Sequence, residues 1–410
     1  MNIKNGQYEI DGIRVTGLVE KYGSPLYIYD TATISRQYER LCKAFENTRM
    51  KIHYACKALN NISIMQYICK LGAGLDTVSI QEVMLGIKAG FAPKDIIFTP
   101  SCVAFDEYDE AIRLGVHVSI DNLSILEQTG AKYGSNVPVS IRIQPNIMGG
   151  GHAKISTGHA LSKFGISTDR LPDILQIVHN HQMTVKGLHI HTGSDILDID
   201  VFLQGAEVVF RTAEHFPDLQ FLDFGSGFKV PYKQNDYATD VTLLGSTLSQ
   251  RFNDFSREYG RELSLIFEPG KFLVSEAGYL AVKVNVLKDA ESIVFAGVNS
   301  GFNHLIRPMY YDAYHHIINI SNPEGLPQPY TVVGYICEND TFATDRSIAR
   351  ISQGDVLVFL NAGAYAMTMA SNYNARLRPA EVMIHQGKDH LIRQRETLDD
   401  LLHNQIILNL

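Results

Sequence analysis

KIHYACKA (51–58), AGLDTVS (73–79) and DIIFTPS (95–101) begin a series of short apolar runs that decides the fold of this 410-residue chain. Five more runs complete the series: HVSID (117–121), VPVSIRIQP (137–145), VKGLHIHTGS (185–194), LQFLDFGSG (219–227) and LSLIFEPG (263–270). Each run is rich in β-branched or aromatic residues and ends in polar, Gly or Pro residues. Buried parallel strands have this character.

Helix-like segments separate these runs, with apolar residues recurring at steps of three and four. Examples are IQEVMLGIKAG (80–90), FDEYDEAIRLG (105–115), RLPDILQIVHNH (170–181) and VFLQGAEVVFRTAEHF (201–216). Eight strands alternating with helices predict a TIM-type (β/α)8 barrel. A doubly wound open sheet is the alternative, but it usually needs fewer strands.

The remaining sequence predicts a second, all-β domain. Beyond residue 271, runs such as YLAVKVNVLKD and GDVLVFLN are separated by turn signals and show little helical periodicity. The N-terminal GIRVTGLVEKYGSPLYIYD (12–30) also looks like β structure. We therefore expect a barrel domain over 28–270 and a β domain formed by 1–27 and 271–410. The polar insertion at 146–168 is long enough for us to expect a functional role.

The amino-acid composition limits the classes of binding partner and the cellular compartment that are expected for this protein. Lys and Arg number 36 and Asp and Glu 44, so the net charge is 36 − 44 = −8. With no basic stripe, this balance argues against nucleic acids and anionic membranes as partners. Five scattered cysteines without a CxxC motif predict reduced thiols and a cytoplasmic protein rather than a disulfide framework. No apolar run of about 18 residues is present to span a bilayer.

Reactive side chains cluster where the predicted strands end, which is where the active sites of such barrels lie. The set is Lys57, Asp76, Arg142, His189, His191, the turn Gly225–Gly227, and Glu268. Lys57 follows an apolar run and is expected to point into the barrel mouth. Burial disfavours a charged lysine, and a neutral amine suits Schiff-base chemistry. An exposed lysine at a strand end is the alternative.

Glycines at two turns offer backbone N–H groups for a phosphate, at Gly193-Ser194 and Gly225-Ser226-Gly227, although such turns are often only tight turns. His189 and His191 could bind a metal ion, but we find no nearby Cys or carboxylate to complete a ligand set, and we predict no metal. A lysine, a carboxylate, an aromatic ring and a phosphate cradle together suit pyridoxal phosphate.

Eight motifs in order resemble one known family over nearly the whole chain. They are YACKALNN (54–61), SKFGI (162–166), HIHTGS (189–194), GSGF (225–228), EPG (268–270), NHLIRPMYYDAYHH (303–316), GYICE (334–338) and GAYAMTMASNYNARLRPAEV (363–382). The chain resembles the barrel-type (fold type III) pyridoxal-phosphate-dependent decarboxylases, whose architecture is alanine racemase/ornithine decarboxylase-like. Segments 307–316 and 370–382 point to the diaminopimelate branch.

The resemblance implies a role for each matching residue. Lys57 matches the lysine that binds the cofactor, His191 the residue stacked on its ring, and Glu268 the partner of its ring nitrogen. The positions that match phosphate contacts are Ser194, Gly227, Gly270 and Tyr373. The expected substrate contacts are Lys271, Arg307, Tyr311, Glu338 and Tyr373. Cys337 matches the proton-transfer cysteine, which a partner subunit supplies, although Lys57 could also return the proton. The resemblance thus implies a homodimer with shared active sites.

The implied reaction is decarboxylation of meso-2,6-diaminopimelate to L-lysine and CO2, the last step of lysine biosynthesis and the work of a carboxy-lyase. The main alternative is a related decarboxylase of ornithine, lysine, arginine or a siderophore or polyamine precursor. A racemase on the same scaffold, a non-catalytic cofactor carrier and a metal-dependent hydrolase are further alternatives. Three departures from the family pattern are Lys271 in place of Arg, the residues 339–342 after Cys337-Glu338, and Ser226 in place of Gly.

Overall fold

A computed structural model describes residues 1–147, 158, 162–233 and 235–410. The chain separates into two compact units. The barrel unit comprises Arg36–Val230 and Tyr237–Phe272, and the β unit comprises Met1–Ser35, Pro231–Asp236 and Leu273–Leu410. Most of the polar insertion at 146–168 lies outside the described residues.

Eight parallel strands of the barrel unit close on themselves. In chain order they are Met50–Ala55, Gly74–Thr77, Ile96–Phe98, His117–Ile120, Val139–Gln144, Val185–His189, Phe221–Asp223 and Ser264–Phe267. Each pairs with the next, and the eighth pairs with the first, through Leu265 with Met50. A two-residue strand, Ile166–Ser167, adds to the edge of the fifth. The predicted (β/α)8 barrel is confirmed.

One helix precedes the first barrel strand, and the others follow barrel strands, as the alternation predicted. They are Thr31–Ala44, Ile62–Lys70, Ile80–Ala89, Phe105–Arg113, Leu123–Tyr133, Leu171–Asn180, Ile199–Ala213, Val241–Tyr259 and the short Lys271–Val274. The helix at Ile80 shows how local sequence sets the ends. Ser79 accepts a hydrogen bond from the N–H of Glu82, and Glu82 in turn accepts from Val78. Gly90 ends the helix with a φ of +102°.

Burial explains why the barrel strands appear in the sequence as continuous runs. All six residues of Val139–Gln144 are buried, as are all four of Ser264–Phe267. One side of each strand faces the barrel interior and the other faces the helices, so most strand residues are shielded from water. This burial on both faces of the strands builds the core that fixes the strand ends in place.

The β unit contains a small three-stranded antiparallel sheet and a large mixed sheet. The small sheet is formed by Asn2–Lys4, Gln7–Ile10 and Ile13–Arg14. The large sheet comprises Leu26–Asp30, Gly278–Ala290, Ile293–Val298, Ile317–Asn319, Pro327–Val333, Thr341–Ala349, Val356–Phe359, Ala380–His385 and Lys388–Arg393. Its organising element is the 13-residue strand Gly278–Ala290, which pairs with three other strands.

The N-terminal segment differs in part from expectation. Leu26–Asp30 is a fully buried strand of the large sheet, as predicted. Val15–Tyr22, expected to be β, is a helix that buries Val15, Leu18 and Val19. Those three residues follow helical spacing, which outweighed the β preference of the valines. Short helices also occur at Arg307–Tyr311 and Leu398–Leu402. Among the described helices, none has the length and apolar character needed to cross a membrane.

Candidate active site

Lys57 lies at the carboxyl end of the first barrel strand, in the short turn Cys56–Ala58. Its Nζ is 2.7 Å from Oδ2 of Asp76 on the second strand. The Lys57 side chain is 38% exposed and that of Asp76 is fully buried. The structure thus differs from the expected buried, apolar setting, because Lys57 is half-exposed and is held by an acidic partner.

Asp76 is fixed from two sides. Its other oxygen, Oδ1, accepts a 2.5 Å hydrogen bond from Oγ1 of Thr99. Burial and the charge of Glu268 raise the pKa of Asp76, and Lys57 and Thr99 oppose that rise. The carboxyl group therefore fixes the position of the lysine amine at the strand end.

Glu268 follows the eighth strand and points into the base of the site. Its backbone N–H donates to the carbonyl of Gly225, at 2.6 Å. Burial alone would raise the pKa of Glu268, but His189, Lys57 and Arg142 together hold it well below its usual range. His189 Nε2 is 3.3 Å from Glu268 Oε2. Glu268 Oε1 is buried and has no hydrogen-bond partner among the described residues.

Asp223, at the end of the seventh strand, is a further carboxyl group that sequence reasoning missed. Its Oδ1 accepts a 2.8 Å hydrogen bond from the N–H of Gly225. Burial, followed by the charge of Glu268, raises the pKa of Asp223 well above its usual value. Position alone was the available signal, since Asp223 ends a buried run two residues before a glycine turn.

His189, Asp223 and Glu268 bring ligand atoms within 4.8 Å of one another. Two carboxyl groups therefore lie near His189, contrary to expectation, and the absence of a metal stays a prediction. The two histidines lie in different elements: His189 is the last residue of the sixth strand, and His191 lies in the loop that follows.

His191 is held by a backbone group. Its Nδ1 accepts a 3.1 Å hydrogen bond from the N–H of Ser226. Burial, followed by the charges of Arg142 and Lys57, lowers the pKa of His191 to about 3. The imidazole is therefore neutral at physiological pH, and its proton is on Nε2.

The glycine turn after the seventh strand is less open than expected. The N–H groups of Gly225 and Ser226 already bond Asp223 and His191, so they are not directed at a phosphate. Gly227, with a φ of +125°, packs closely on the loop after the sixth strand. A Cβ at this position would lie 2.6 Å from the carbonyl oxygen of Gly193. The turn thus has no room for a side chain at Gly227.

The loop that contains Ser194 and the segment that contains Gly270 lie next to this turn. A Cβ on Gly270 would lie 3.0 Å from the carbonyl oxygen of Ala55, so this segment packs against the strand that leads to Lys57. The residue after Gly270, Lys271, forms an ion pair with Asp195. The barrel unit therefore brings together the predicted residues Lys57, His191, Ser194, Gly227, Glu268, Gly270 and Lys271.

The β unit contains the other predicted residues, in two groups. Arg307 begins the helix Arg307–Tyr311, and its guanidinium lies 5.3 Å from the ring of Tyr232 and 5.9 Å from that of Tyr311. Arg307 is buried, and its Nε has no hydrogen-bond partner among the described residues. Sequence reasoning missed Tyr232, because it lies far from Arg307 in the sequence and belongs to no recognisable motif.

The second group joins Cys337, Glu338 and Tyr373. The hydroxyl of Tyr373 donates to Oε1 of Glu338 at 2.5 Å, and this contact raises the pKa of Tyr373. Nδ2 of Asn374 lies 2.7 Å from Sγ of Cys337, which is exposed. The residues that were predicted to contact the substrate thus include a cation, Arg307, and an anion, Glu338.

Comparison with known proteins adds a family match. Residues 31–275 match the model described as "Pyridoxal-dependent decarboxylase, pyridoxal binding domain". A protein of Methanothermobacter thermautotrophicus named diaminopimelate decarboxylase is 36% identical, over 98% of this chain and 96% of its own length. The protein of that name from Pseudomonas aeruginosa is 33% identical, over 97% and 96%.

Solved structures agree with these matches. The diaminopimelate decarboxylase of Methanocaldococcus jannaschii, in co-complex with L-lysine, superposes with a TM-score of 0.92 at 31% identity. The alignment covers 99% of this chain and 98% of that one. A lysine/ornithine decarboxylase from Vibrio vulnificus has a TM-score of 0.80 at 22% identity, covering 91% and 97%, and shows a shared fold.

Proposed function

This chain belongs to the pyridoxal-dependent decarboxylases, and we propose that it converts meso-2,6-diaminopimelate into L-lysine and CO2, the last step of lysine biosynthesis. The enzyme is a carboxy-lyase and its cofactor is pyridoxal 5'-phosphate. The observation that carries this proposal is the similarity over almost the whole chain to enzymes named diaminopimelate decarboxylase.

The residues at the base of the barrel site fit this cofactor. A buried carboxylate oxygen without a donor is unfavourable, and Glu268 Oε1 is such an oxygen. The protonated ring nitrogen of the cofactor is a donor that would satisfy it. The neutral ring of His191 suits stacking on an aromatic ring, and the amine of Lys57 lies at the rim, where an aldehyde could reach it.

We propose the following residues as the cofactor site. Lys57 binds the cofactor, His191 stacks on its ring, and Glu268 pairs with its ring nitrogen. The phosphate contacts are Ser194, Gly227, Gly270 and Tyr373. The functional division of the chain into a cofactor domain over 28–270 and a β domain of 1–27 and 271–410 also remains our proposal.

When bound, pyridoxal phosphate supplies an electron sink for the electron pair left as the bond to the departing carboxylate breaks. The ionised Glu268 favours a proton on the ring nitrogen and thereby strengthens that sink. After CO2 leaves, Cys337 Sγ donates a proton to the carbon that lost it, and the thiol regains a proton from solvent. The neutral state of His191 avoids a competing positive charge beside the ring.

Substrate recognition follows from charge. The distal end of diaminopimelate has a carboxylate and an amine, so it needs both a cation and an anion from the protein. We assign these roles to Arg307 and Glu338, with Tyr311 and Tyr373 beside them, and we add Lys271 as a further cation. The buried Arg307 Nε, without a partner among the described residues, suits a carboxylate ligand.

We also propose that the active form of the enzyme is a homodimer. We propose that each active site takes Cys337 from the partner subunit, and that the enzyme works in the cytoplasm without nucleic acid or membrane partners. All five cysteines are free, which agrees with a reducing compartment.

The decisive test is product analysis after incubation with meso-diaminopimelate and pyridoxal phosphate. We expect CO2 release and L-lysine in equal amounts, and much slower turnover of ornithine, lysine and arginine. Racemisation without CO2 release, or faster turnover of ornithine, would refute the assignment.

Lys57→Ala tests the cofactor site. We expect loss of turnover and of the cofactor absorbance band, whereas Lys51→Ala, an exposed lysine on the same strand, should retain both. An active, yellow Lys57→Ala enzyme would contradict the assignment.

Mixing inactive variants tests the shared sites. If Lys57 and Cys337 of one site come from different subunits, reassociated Lys57→Ala and Cys337→Ala chains regain about a quarter of the wild-type sites. No recovery after verified subunit exchange argues for sites built within one chain. Activity in Cys337→Ala alone would instead assign proton return to Lys57.

A further inference from the structure

An ion pair joins the loop after the sixth barrel strand to the start of the short helix Lys271–Val274. Nζ of Lys271 lies 2.5 Å from Oδ1 of Asp195. The Lys271 side chain is only 8% exposed and that of Asp195 is 23% exposed. A charge this close to a mostly buried ammonium acts with little screening by water.

The loops on both sides of this pair are tied to the glycine turn after the seventh strand. The N–H of Ile196 donates to the carbonyl of Gly227 at 2.8 Å, and the N–H of Glu268 donates to the carbonyl of Gly225 at 2.6 Å. Asp195 directly precedes Ile196, and Lys271 lies three residues after Glu268. The pair therefore lies at the rim of the proposed phosphate cradle.

The proposed function already assigns Lys271 to ligand binding, and we propose in addition that the Asp195 carboxylate competes with an oxyanion ligand for the Lys271 ammonium. The inference rests on the proposed function, because two oxyanions reach this rim: the phosphate ester of the cofactor and a carboxylate of the substrate. Either oxyanion must share or displace Asp195 in order to bind Lys271. Asp195 thus lowers the affinity for the oxyanion.

The test removes the charge of Asp195 and retains its shape. Asp195 has a φ of +60°, which asparagine also tolerates, so Asp195→Asn should fold. We expect Asp195→Asn to bind the oxyanion at least about fivefold more tightly, because exposed charge pairs already reach that factor and this pair is largely buried. Asp200→Asn, an exposed change in the same region, is the control for loss of one negative charge.

Two measurements, a titration of the apoenzyme and a KM determination, identify the oxyanion. In the first, the apoenzyme is titrated with pyridoxal phosphate and, separately, with pyridoxal, which lacks the phosphate. If Asp195→Asn raises the affinity for pyridoxal phosphate but not for pyridoxal, the site binds the cofactor phosphate. In the second, the KM for diaminopimelate is measured in the loaded enzyme. A lower KM with unchanged cofactor affinity assigns it to the substrate carboxylate.

A double-mutant cycle separates competition from a structural role. In a Lys271→Met background, Asp195→Asn should change neither affinity, because the shared ammonium is gone. Weaker or unchanged oxyanion binding in Asp195→Asn, or an equal gain in both backgrounds, overturns the proposal. Wild-type turnover of diaminopimelate is measured first, and its absence refutes the proposed function without affecting the apoenzyme titrations.

Discussion

Asp340 lies three residues after Cys337 and is expected to make the stability of the β unit depend on pH. Its side chain is buried, and its two oxygens accept hydrogen bonds from the N–H groups of Phe302, at 2.8 Å, and Ile336, at 3.1 Å. Burial raises its pKa from 3.8 to about 6, although those two N–H groups oppose the rise. One buried carboxyl group thus holds the segments that lead to the candidate substrate residues.

The sign of the effect follows from the raised pKa. A carboxyl group with a higher pKa in the folded state stabilises the fold fully below its unfolded value of 3.8, and this contribution is lost as the pH rises through about 6. The shift corresponds to about 3 kcal/mol, which solvent screening reduces to about 2 kcal/mol. For a unit of this size, a change of that free energy shifts the melting temperature by roughly 4–8 °C.

The assay compares melting temperatures of the wild type and Asp340→Asn between pH 4.5 and 8. Other titrating groups contribute equally to both proteins, so the difference isolates Asp340. We expect the wild type to gain stability relative to Asp340→Asn as the pH falls. Asp345→Asn, an exposed change on the neighbouring strand, should show no such dependence. A difference between wild type and Asp340→Asn that is constant with pH would refute the reasoning.

Three further substitutions test the candidate site. Glu268→Gln should lower kcat by about 100-fold, measured by CO2 release, because a neutral amide no longer favours a protonated ring nitrogen. Gly227→Ala should weaken pyridoxal phosphate binding to the apoenzyme by about tenfold, measured by titration, because its Cβ meets the carbonyl of Gly193 at 2.6 Å. Arg307→Met should raise the KM for diaminopimelate by about tenfold, measured by steady-state kinetics, because a charge-assisted contact to a carboxylate is lost.

Matched controls show which outcomes count against these predictions. Glu262→Gln removes a largely exposed carboxylate, and an equal loss of kcat there contradicts a specific role for Glu268. Gly260 also has a positive φ, of +78°, but no atom within 4 Å of its Cβ position, so equal effects of both alanines would implicate backbone strain. Arg350→Met changes an exposed arginine and should leave the KM unchanged.

Local patterns predicted the barrel because burial is a local signal along parallel strands. VPVSIRIQP (137–145), for example, corresponds to the fully buried strand Val139–Gln144. The same approach failed at Val15–Tyr22, where β-branched residues masked a helical spacing of buried positions. Local composition and spacing competed there, and tertiary burial decided between them.

Contacts between distant residues explain what the sequence could not predict in the site. Asp195 and Lys271 are 76 residues apart, and no local pattern pairs them. Asp223 looked like an ordinary residue at the end of a strand until the barrel closed around it. The setting of Lys57 also depended on a partner on the next strand, Asp76, which the sequence placed at the same rim without showing a contact.

The hydrogen bond from Ser226 to His191 has a consequence for how this protein can evolve. Its donor is a backbone amide, so the side chain at position 226 can change without altering the proton arrangement of the imidazole. The serine that replaces the family's usual glycine is therefore a neutral difference for His191, and among the natural amino acids only proline would remove the donor. The least variable part of this contact is the backbone N–H of residue 226, which a comparison of side chains alone would not reveal.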